Sequence, residues 1–504
     1  MKQLPLIERA MAQNDRVAIR SDSQRHTYAD LVCGSAVVAA TLLDDTDDLR
    51  EARVAYLVPA GCDYVLAQWG IWRAGGIAVP LSLSATEQEL KYALTDSQAN
   101  IVIATSELAD RLEQLCEGIG VRLVFLKDVD SGTAAPLPEI DTGRRAMILY
   151  TSGTTSTPKG VVTTHACIQA QIETLVEAWR WQPNDRIPLF LPLHHVHGII
   201  NVLSCALWSG AEVEPFLRFD LEAIFHRVAA NAYTVFMAVP TVYVKLIDAL
   251  ESMSTDDRAP IVDGFARMRL MISGSAALPA SVHTKWTELT GQDLLERYGM
   301  TEIGMALSNP YDGERRPGAV GQPLPGVEIR LQSEAGKLVT DENNPGEILV
   351  RGPSVFREYW NRPEATRESF DDGWFRTGDI AVLDNGYYRI MGRNSVDIIK
   401  SGGYKLSALE IEAVLLDHPS IRECAVVGLP DDTWGETVAA AIVLKEGHHL
   451  DLEALRFWCQ DRISHYKVPS KLLVVDPLPR NAMGKVTKPA VLTLIRDAVS
   501  AETM

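Results

Sequence analysis

Apolar runs of strand length alternate with amphipathic stretches of helix length along most of the chain. Segments 54–58, 101–104 and 121–125 are mainly apolar and short, which predicts buried strands. Between them, 64–73 and 87–94 repeat their apolar residues three and four positions apart, the spacing of a helix face. This alternation predicts parallel sheets covered by helices. It returns from Asp185 to Ile303, with strands expected at 187–191, 235–239 and 269–273. From Gly318 to Ile390 short apolar runs are broken by Gly, Pro and Asp-Gly or Asn-Gly pairs, the pattern of an antiparallel unit. After Gly392 an α+β pattern begins. A helix is expected after Leu406-Ser407-Ala408-Leu409-Glu410, strands at 423–428 and 438–444, and a helix from Leu452. The fold class is therefore α/β: a large body of stacked α/β sheets with a β subdomain over 1–392, and a smaller α+β body over 393–504.

Composition narrows the function classes. With 48 basic against 66 acidic residues the net charge is −18, which argues against coating nucleic acid or anionic lipid. No apolar run reaches the roughly 18–20 residues needed to span a membrane. The first residues, Met1-Lys2-Gln3-Leu4-Pro5, read as neither signal nor transit peptide, and the 7 cysteines are scattered with no C-x-x-C pair. A reduced, cytoplasmic protein is expected.

Candidate chemistry lies in four separated stretches. Tyr150-Thr151-Ser152-Gly153-Thr154-Thr155-Ser156-Thr157-Pro158-Lys159-Gly160 follows an apolar strand candidate and gathers hydroxyls, glycines and a lysine. Such a loop can bring backbone N–H groups and a cation to phosphate, although Pro158 before the lysine and Gly160 after it depart from a Walker A loop. A surface turn is the plainer reading of this segment alone. Glu296-Arg297-Tyr298-Gly299-Met300-Thr301-Glu302 supplies an aromatic face, a hydroxyl and a carboxylate. Trp374-Phe375-Arg376-Thr377-Gly378-Asp379 ends in an acid able to accept from two hydroxyls, and Asn481-Ala482-Met483-Gly484-Lys485 carries a lysine beside glycine. No serine sits in G-x-S-x-G, so a serine hydrolase finds no support.

In order and spacing these stretches resemble the acyl-adenylate-forming superfamily: acyl-CoA synthetases, luciferases and adenylation domains. Within it the chain is most similar to malonyl-CoA synthetases, including a mitochondrial member. The carrying stretches are Leu191-Pro192-Leu193-His194-His195-Val196-His197-Gly198, Met268-Arg269-Leu270-Met271-Ile272-Ser273-Gly274-Ser275-Ala276-Ala277-Leu278 and Ser395-Val396-Asp397-Ile398-Ile399-Lys400-Ser401-Gly402-Gly403-Tyr404-Lys405. The resemblance implies an AMP-forming acid–thiol ligase. A carboxylate attacks the α-phosphate of ATP to give acyl-AMP and pyrophosphate, and the CoA thiol then displaces AMP. Malonate is the acid implied, with methylmalonate next; another short- or medium-chain acid, or loading of a carrier protein, are the alternatives. The implied partners are the co-substrates ATP and CoA, a dicarboxylic acid and Mg²⁺, with no nucleic acid and no membrane.

By the same resemblance Thr151, Ser152, Gly153, Thr154, Thr155 and Lys159 hold the outer phosphates, Thr301 holds the α-phosphate, and Glu302 is the metal ligand. Gly274, Ser275, Ala276 and Tyr298 border adenine, and Asp379 and Arg393 grip the ribose. Lys485 bridges the acid and the α-phosphate. A mobile C-terminal body swings about Ser395 or Val396 to bring Gly402, Gly403 and Tyr404 to the CoA channel. His194, His195 and His197 look like metal ligands at first, but no Cys or H-E-x-x-H accompanies them, and they read as a strand end running into Gly198. In the wider family His195 matches a histidine at the acyl-pocket mouth, and a structural role is as good a reading as substrate contact for any of the three. Arg269 opens an apolar strand candidate, where charge is costly unless paired, and it resembles the arginine expected to hold the distal carboxylate; His197 is a second donor. Three departures stand out: Ser156 replaces a glycine, Ala277 replaces a proline, and the stretch from Arg393 to Asp397 is one residue longer than in many relatives.

Overall fold

The computed structural model describes residues 3–21, 24–129, 136–151, 158–402, 404–431, 433–480 and 486–502. Ser152, Gly153, Thr154, Thr155, Ser156, Gly403 and Lys485 lie outside the described residues.

The expected alternation folds into sheets covered by helices. Arg53–Leu57 pairs in parallel with Ile77–Pro80 and Ile101–Ala104, and Arg122–Phe125 extends the same sheet. On its other side Arg145–Thr151 and Lys159–Thr164 form an antiparallel hairpin, edged by Glu358–Tyr359. All four residues of Ile101–Ala104 are buried, which explains why an uninterrupted apolar run is read as a strand covered on both faces. Helices Cys62–Arg73 and Glu87–Asp96 fall where the apolar spacing places them. The second of these starts at Thr86, whose hydroxyl accepts from the Glu89 N–H while the Glu89 carboxylate accepts in return from the Thr86 N–H.

A second sheet sets Val235–Ala238, Leu270–Ser273 and Leu295–Met300 in parallel, then turns back through Gly304–Ser308 and Gln322–Pro323. A third joins Arg186–Leu189, Glu212–Pro215, Val17–Arg20 and Arg25–Thr27. The stretch from Glu328 to Arg393 is antiparallel, as the turn residues require, and ends in the pairing of Trp374–Asp384 with Tyr387–Arg393. Beyond it Ile398–Ser401, Tyr404–Ser407, Ile421–Asp431, Gly435–Leu444 and Lys471–Val474 make one sheet, with helices Ala408–Leu416, Leu452–Cys459 and Lys488–Glu502. The hydrophobic clusters do not mix across this junction: the large one reaches Ile390, and the next begins at Ile399.

One expectation is corrected here. The histidine segment is not the end of a strand: Arg186–Leu189 stops earlier, and His197–Ser204 is a π-helix running into Cys205–Ser209. Ser204 Oγ donates back to the Ile199 carbonyl at 2.7 Å, five residues away, as the wider turn allows. Among the described residues no helix is long and apolar enough to cross a membrane.

Candidate active site

In a parallel sheet, ligands gather where the strands end at their carboxyl side. Leu270–Ser273 and Leu295–Met300 run side by side and deliver Gly274-Ser275-Ala276 and Tyr298 at that edge. Ser275 takes a left-handed backbone with φ of 71°, a geometry that costs a non-glycine residue roughly 1–2 kcal/mol. Its Oγ lies 3.1 Å from His197 Nδ1 and accepts from an Arg297 terminal nitrogen at 3.3 Å. Arg297 is only 3% exposed, and burial pushes its guanidinium down to about 9. Among the described residues its Nε has no partner, and neither has Nε2 of His197, also buried. Gly274 makes room for this: a Cβ there would stand 2.6 Å from the Arg297 guanidinium carbon. Burial holds the His197 ring well below its ordinary value, and the charges of Arg297 and His195 add to the effect, so His197 is a neutral hydrogen-bonding group.

The nucleotide candidates meet beside this pocket. The Tyr298 hydroxyl donates to Asp379 Oδ2 at 2.6 Å, and Arg393 Nε donates to Asp379 Oδ1 at 3.1 Å. The Asp379 N–H in turn donates to Thr377 Oγ1 at 3.1 Å. Both carboxylate oxygens therefore already have protein donors, and the Tyr298 ring is fixed by its tip. Thr301 and Glu302 lie on the tight turn between Leu295–Met300 and Gly304–Ser308. Gly304 closes that turn with φ of 65°, where a Cβ would strike Gln171 Oε1. Glu302 is buried, accepts from the Tyr359 hydroxyl at 2.9 Å, and is pushed up from its ordinary value chiefly by burial.

The phosphate-loop candidates reach the same place. Thr151 and Lys159 face each other across the hairpin, at the two ends of the loop whose inner residues lie outside the described set. Lys159 Nζ stands 5.1 Å from the Tyr359 ring centre, on the side chain that holds Glu302. Tyr92 donates to the Pro158 carbonyl at 2.7 Å and pins the foot of the loop.

Arg269 is not part of this assembly. It stands at the amino end of its strand, about five residues or ~16 Å from the edge where Gly274 lies. There its Nε donates to Asp185 Oδ1 at 2.7 Å, a terminal nitrogen pairs with Asp185 Oδ2, and the other donates to the Trp179 carbonyl at 3.0 Å. The expectation that it meets a substrate carboxylate is thus corrected; the charge argument was sound but the partner is Asp185. The arginine at the right edge is Arg297, quoted in its motif yet given no role. The signal was present, because a cation inside Leu294-Leu295-Glu296-Arg297 is as costly as one beside Leu270. Tyr359 was missed too, and nothing local marks it.

At the junction with the C-terminal body, Ser395 is exposed and Val396 half-buried in a turn, between Arg393 and Asp397. Gly402 takes φ of 56° and donates to the Trp434 carbonyl at 2.9 Å. Exposed Tyr404 stacks on Tyr466 with ring centres 4.9 Å apart. His195 lies against His194, ring centres 4.1 Å apart, one turn before the π-helix.

Comparison with known proteins agrees with this architecture. Residues 6–360 match the family of AMP-binding enzymes, and residues 410–485 match the AMP-binding enzyme C-terminal domain. The mitochondrial malonate–CoA ligase of Mus musculus is 46% identical, the alignment covering 97% of this chain and 90% of the relative. That of Homo sapiens is 44% identical, covering 97% and 91%. Among solved structures, ATP-bound MatB from Rhodopseudomonas palustris superposes with a TM-score of 0.89 at 33% identity, covering 99% of this chain and 100% of that one. The chain belongs to the AMP-binding enzyme family.

Proposed function

We propose that the protein is a malonate–CoA ligase that converts ATP, malonate and CoA to malonyl-CoA, AMP and pyrophosphate through malonyl-AMP, with methylmalonate as a second acid. The observation that carries the choice of acid is Arg297. A buried guanidinium whose Nε is unpartnered among the described residues, beside Ser275 and His197, calls for an anion, and a monocarboxylate spent at phosphorus has none to offer. Malonate brings one carboxylate to the reaction and a second for this pocket.

In the first step Thr151, Lys159 and the intervening Ser152, Gly153, Thr154 and Thr155 hold the outer phosphates, and Thr301 meets the α-phosphate. Tyr298 borders adenine and the Asp379–Arg393 pair meets the ribose. Among the described residues no group of three metal-ligating side chains forms a protein cage. The buried Glu302 suits Mg²⁺ instead, an ion usually held by one or two carboxylates together with substrate phosphates. When bound, Mg²⁺ neutralises phosphate charge that would repel the incoming carboxylate. Lys485 supplies the cation between acid and α-phosphate, and the body over 393–504 then rotates against 1–392, about Ser395 or Val396, to bring Gly402, Gly403 and Tyr404 to the thiol. A cytoplasmic site of action belongs to the same proposal; the 7 cysteines are free, as in any reducing compartment. One acid panel tests the reading: malonate, methylmalonate, succinate, acetate and propionate, assayed for AMP and acyl-CoA. Malonate should lead, and equal or better turnover of acetate or propionate would refute the assignment.

A further inference from the structure

A buried cluster of charge lies where the two bodies join. Lys488 Nζ stands 2.6 Å from Asp397 Oδ1 and 2.8 Å from Glu412 Oε1, and all three side chains are largely shielded from water. Backbone donors complete the carboxylates: the Val426 N–H reaches Glu412 Oε1 at 2.7 Å, and the Arg393 N–H reaches Asp397 Oδ2 at 2.9 Å. Asp397 answers Arg393 in the other direction too, its N–H donating to the Arg393 carbonyl at 2.8 Å, and the Val396 N–H reaches the same carbonyl at 3.2 Å. The turn 393–397 is therefore clasped from both ends, and any change of dihedral at Ser395 or Val396 must break the clasp. Its first residue, Arg393, has its guanidinium on Asp379, which also holds Tyr298. Polar contacts thus run without a gap from Tyr298 through Asp379, Arg393, Asp397 and Lys488 to Glu412.

We propose that Lys488 is a positioning residue: by fixing Asp397 it keeps the 393–397 turn closed, and with it the Arg393 guanidinium on Asp379. The closed turn sets the orientation in which the Tyr298–Asp379–Arg393 grip is complete, the arrangement ATP needs. Opening the turn is what rotation toward the thiol step requires. The latch therefore favours acyl-AMP formation and is dispensable for CoA attack. This rests on the ligase reading, whose two half-reactions supply the readout.

The test measures both halves in the full-length protein: malonyl-AMP formation from ATP and malonate, and malonyl-CoA formation from supplied malonyl-AMP and CoA. Lys488→Met should slow the first about tenfold or more with a raised KM for ATP, and change the second by less than about threefold. Lys488→Arg, which keeps the charge, should restore most of the first. Because Lys488→Met leaves two carboxylates facing each other and threatens folding, Asp397→Asn is made alongside. It retains the Lys488–Glu412 pair and should show the same split. If Lys488 acts through Asp397, the double variant should be no worse than Lys488→Met. Equal loss in both halves, additive effects or no loss at all in Asp397→Asn would overturn the proposal. The ligase reading fails differently, in unmodified protein that forms no acyl-AMP from any acid of the panel.

Discussion

Two arginines in neighbouring strands make opposite predictions. Replacing Arg297 by methionine keeps length and apolar stem while removing a cation that has no protein counter-ion among its described contacts. A charge-assisted hydrogen bond contributes about 1.5–3 kcal/mol. At about 1.4 kcal/mol per tenfold, Arg297→Met should lower kcat/KM for malonate roughly 10- to 150-fold. Propionate, which has no second carboxylate, should lose far less. The unliganded protein should not suffer, because burial already works against this charge, pushing the guanidinium down to about 9. Its urea midpoint should stay level or rise, the pattern expected where function retains a destabilising group.

Arg269→Met should invert that pattern. It strands Asp185, whose side chain is 1% exposed, and breaking such a buried pair typically costs about 3–5 kcal/mol. Stability should fall by an amount of that order, while whatever activity survives keeps its preference for malonate over propionate. Paired measurements, kcat/KM on both acids and urea unfolding of both variants, decide the matter. Equal fractional losses on malonate and propionate in Arg297→Met would refute the carboxylate assignment, however large the losses were.

Glu296, next in sequence, tests electrostatics through pH. Burial pushes its carboxyl up to about 8, so the folded protein holds a proton that an unfolded carboxyl releases near 4.5. Its contribution to stability is complete below that lower value and disappears as pH rises through about 8. Urea midpoints at pH 5.5 and 8.5 should therefore converge in Glu296→Gln relative to the unmodified protein, and an unchanged gap would count against the buried, protonated acid. Tyr298→Phe removes the donor to Asp379 and should raise KM for ATP about tenfold, or ~1.5 kcal/mol, without affecting KM for CoA; chelation of Mg²⁺ should abolish acyl-AMP formation, and an unchanged KM for ATP in the variant, or acyl-AMP formed after chelation, would disown the site. Lys485→Ala should stop acyl-AMP formation yet spare CoA attack on supplied malonyl-AMP, and equal loss in both would point to general destabilisation.

What could be read ahead of the structure follows from which forces are local. The strands Ile101–Ala104 and Val235–Ala238 announce themselves because a run of apolar residues between turn formers is a statement about burial, and burial is what builds a sheet. Asp379 and Tyr298 could be named because motif order carries them, but their direct bond joins residues 81 apart and no spacing rule reports it. The π-helix at His197 was hidden for a related reason: three polar rings before Gly198 disguise a segment whose next residues, Ile199, Ile200, Val202 and Leu203, are all buried.

Arg269 and Arg297 show the limit most clearly. Both interrupt apolar strands, and local chemistry demands an anion for each without saying whose. For Arg269 the anion is Asp185, 84 residues away on the loop before Arg186–Leu189; the two sheets meet at Thr234, which donates to the Arg186 carbonyl and to Asp185 Oδ1 and accepts from the Arg269 N–H. For Arg297 no carboxylate arrives among the described residues, since it projects at the far end of the same sheet, where strands give way to loops and Gly274 leaves a space that a side chain would fill. A charged residue in a strand is thus a question the sequence poses, and its end of the strand answers it: at the starting edge Arg269 meets Asp185, and at the finishing edge, where ligands of a parallel sheet gather, Arg297 keeps the charge that we propose malonate meets.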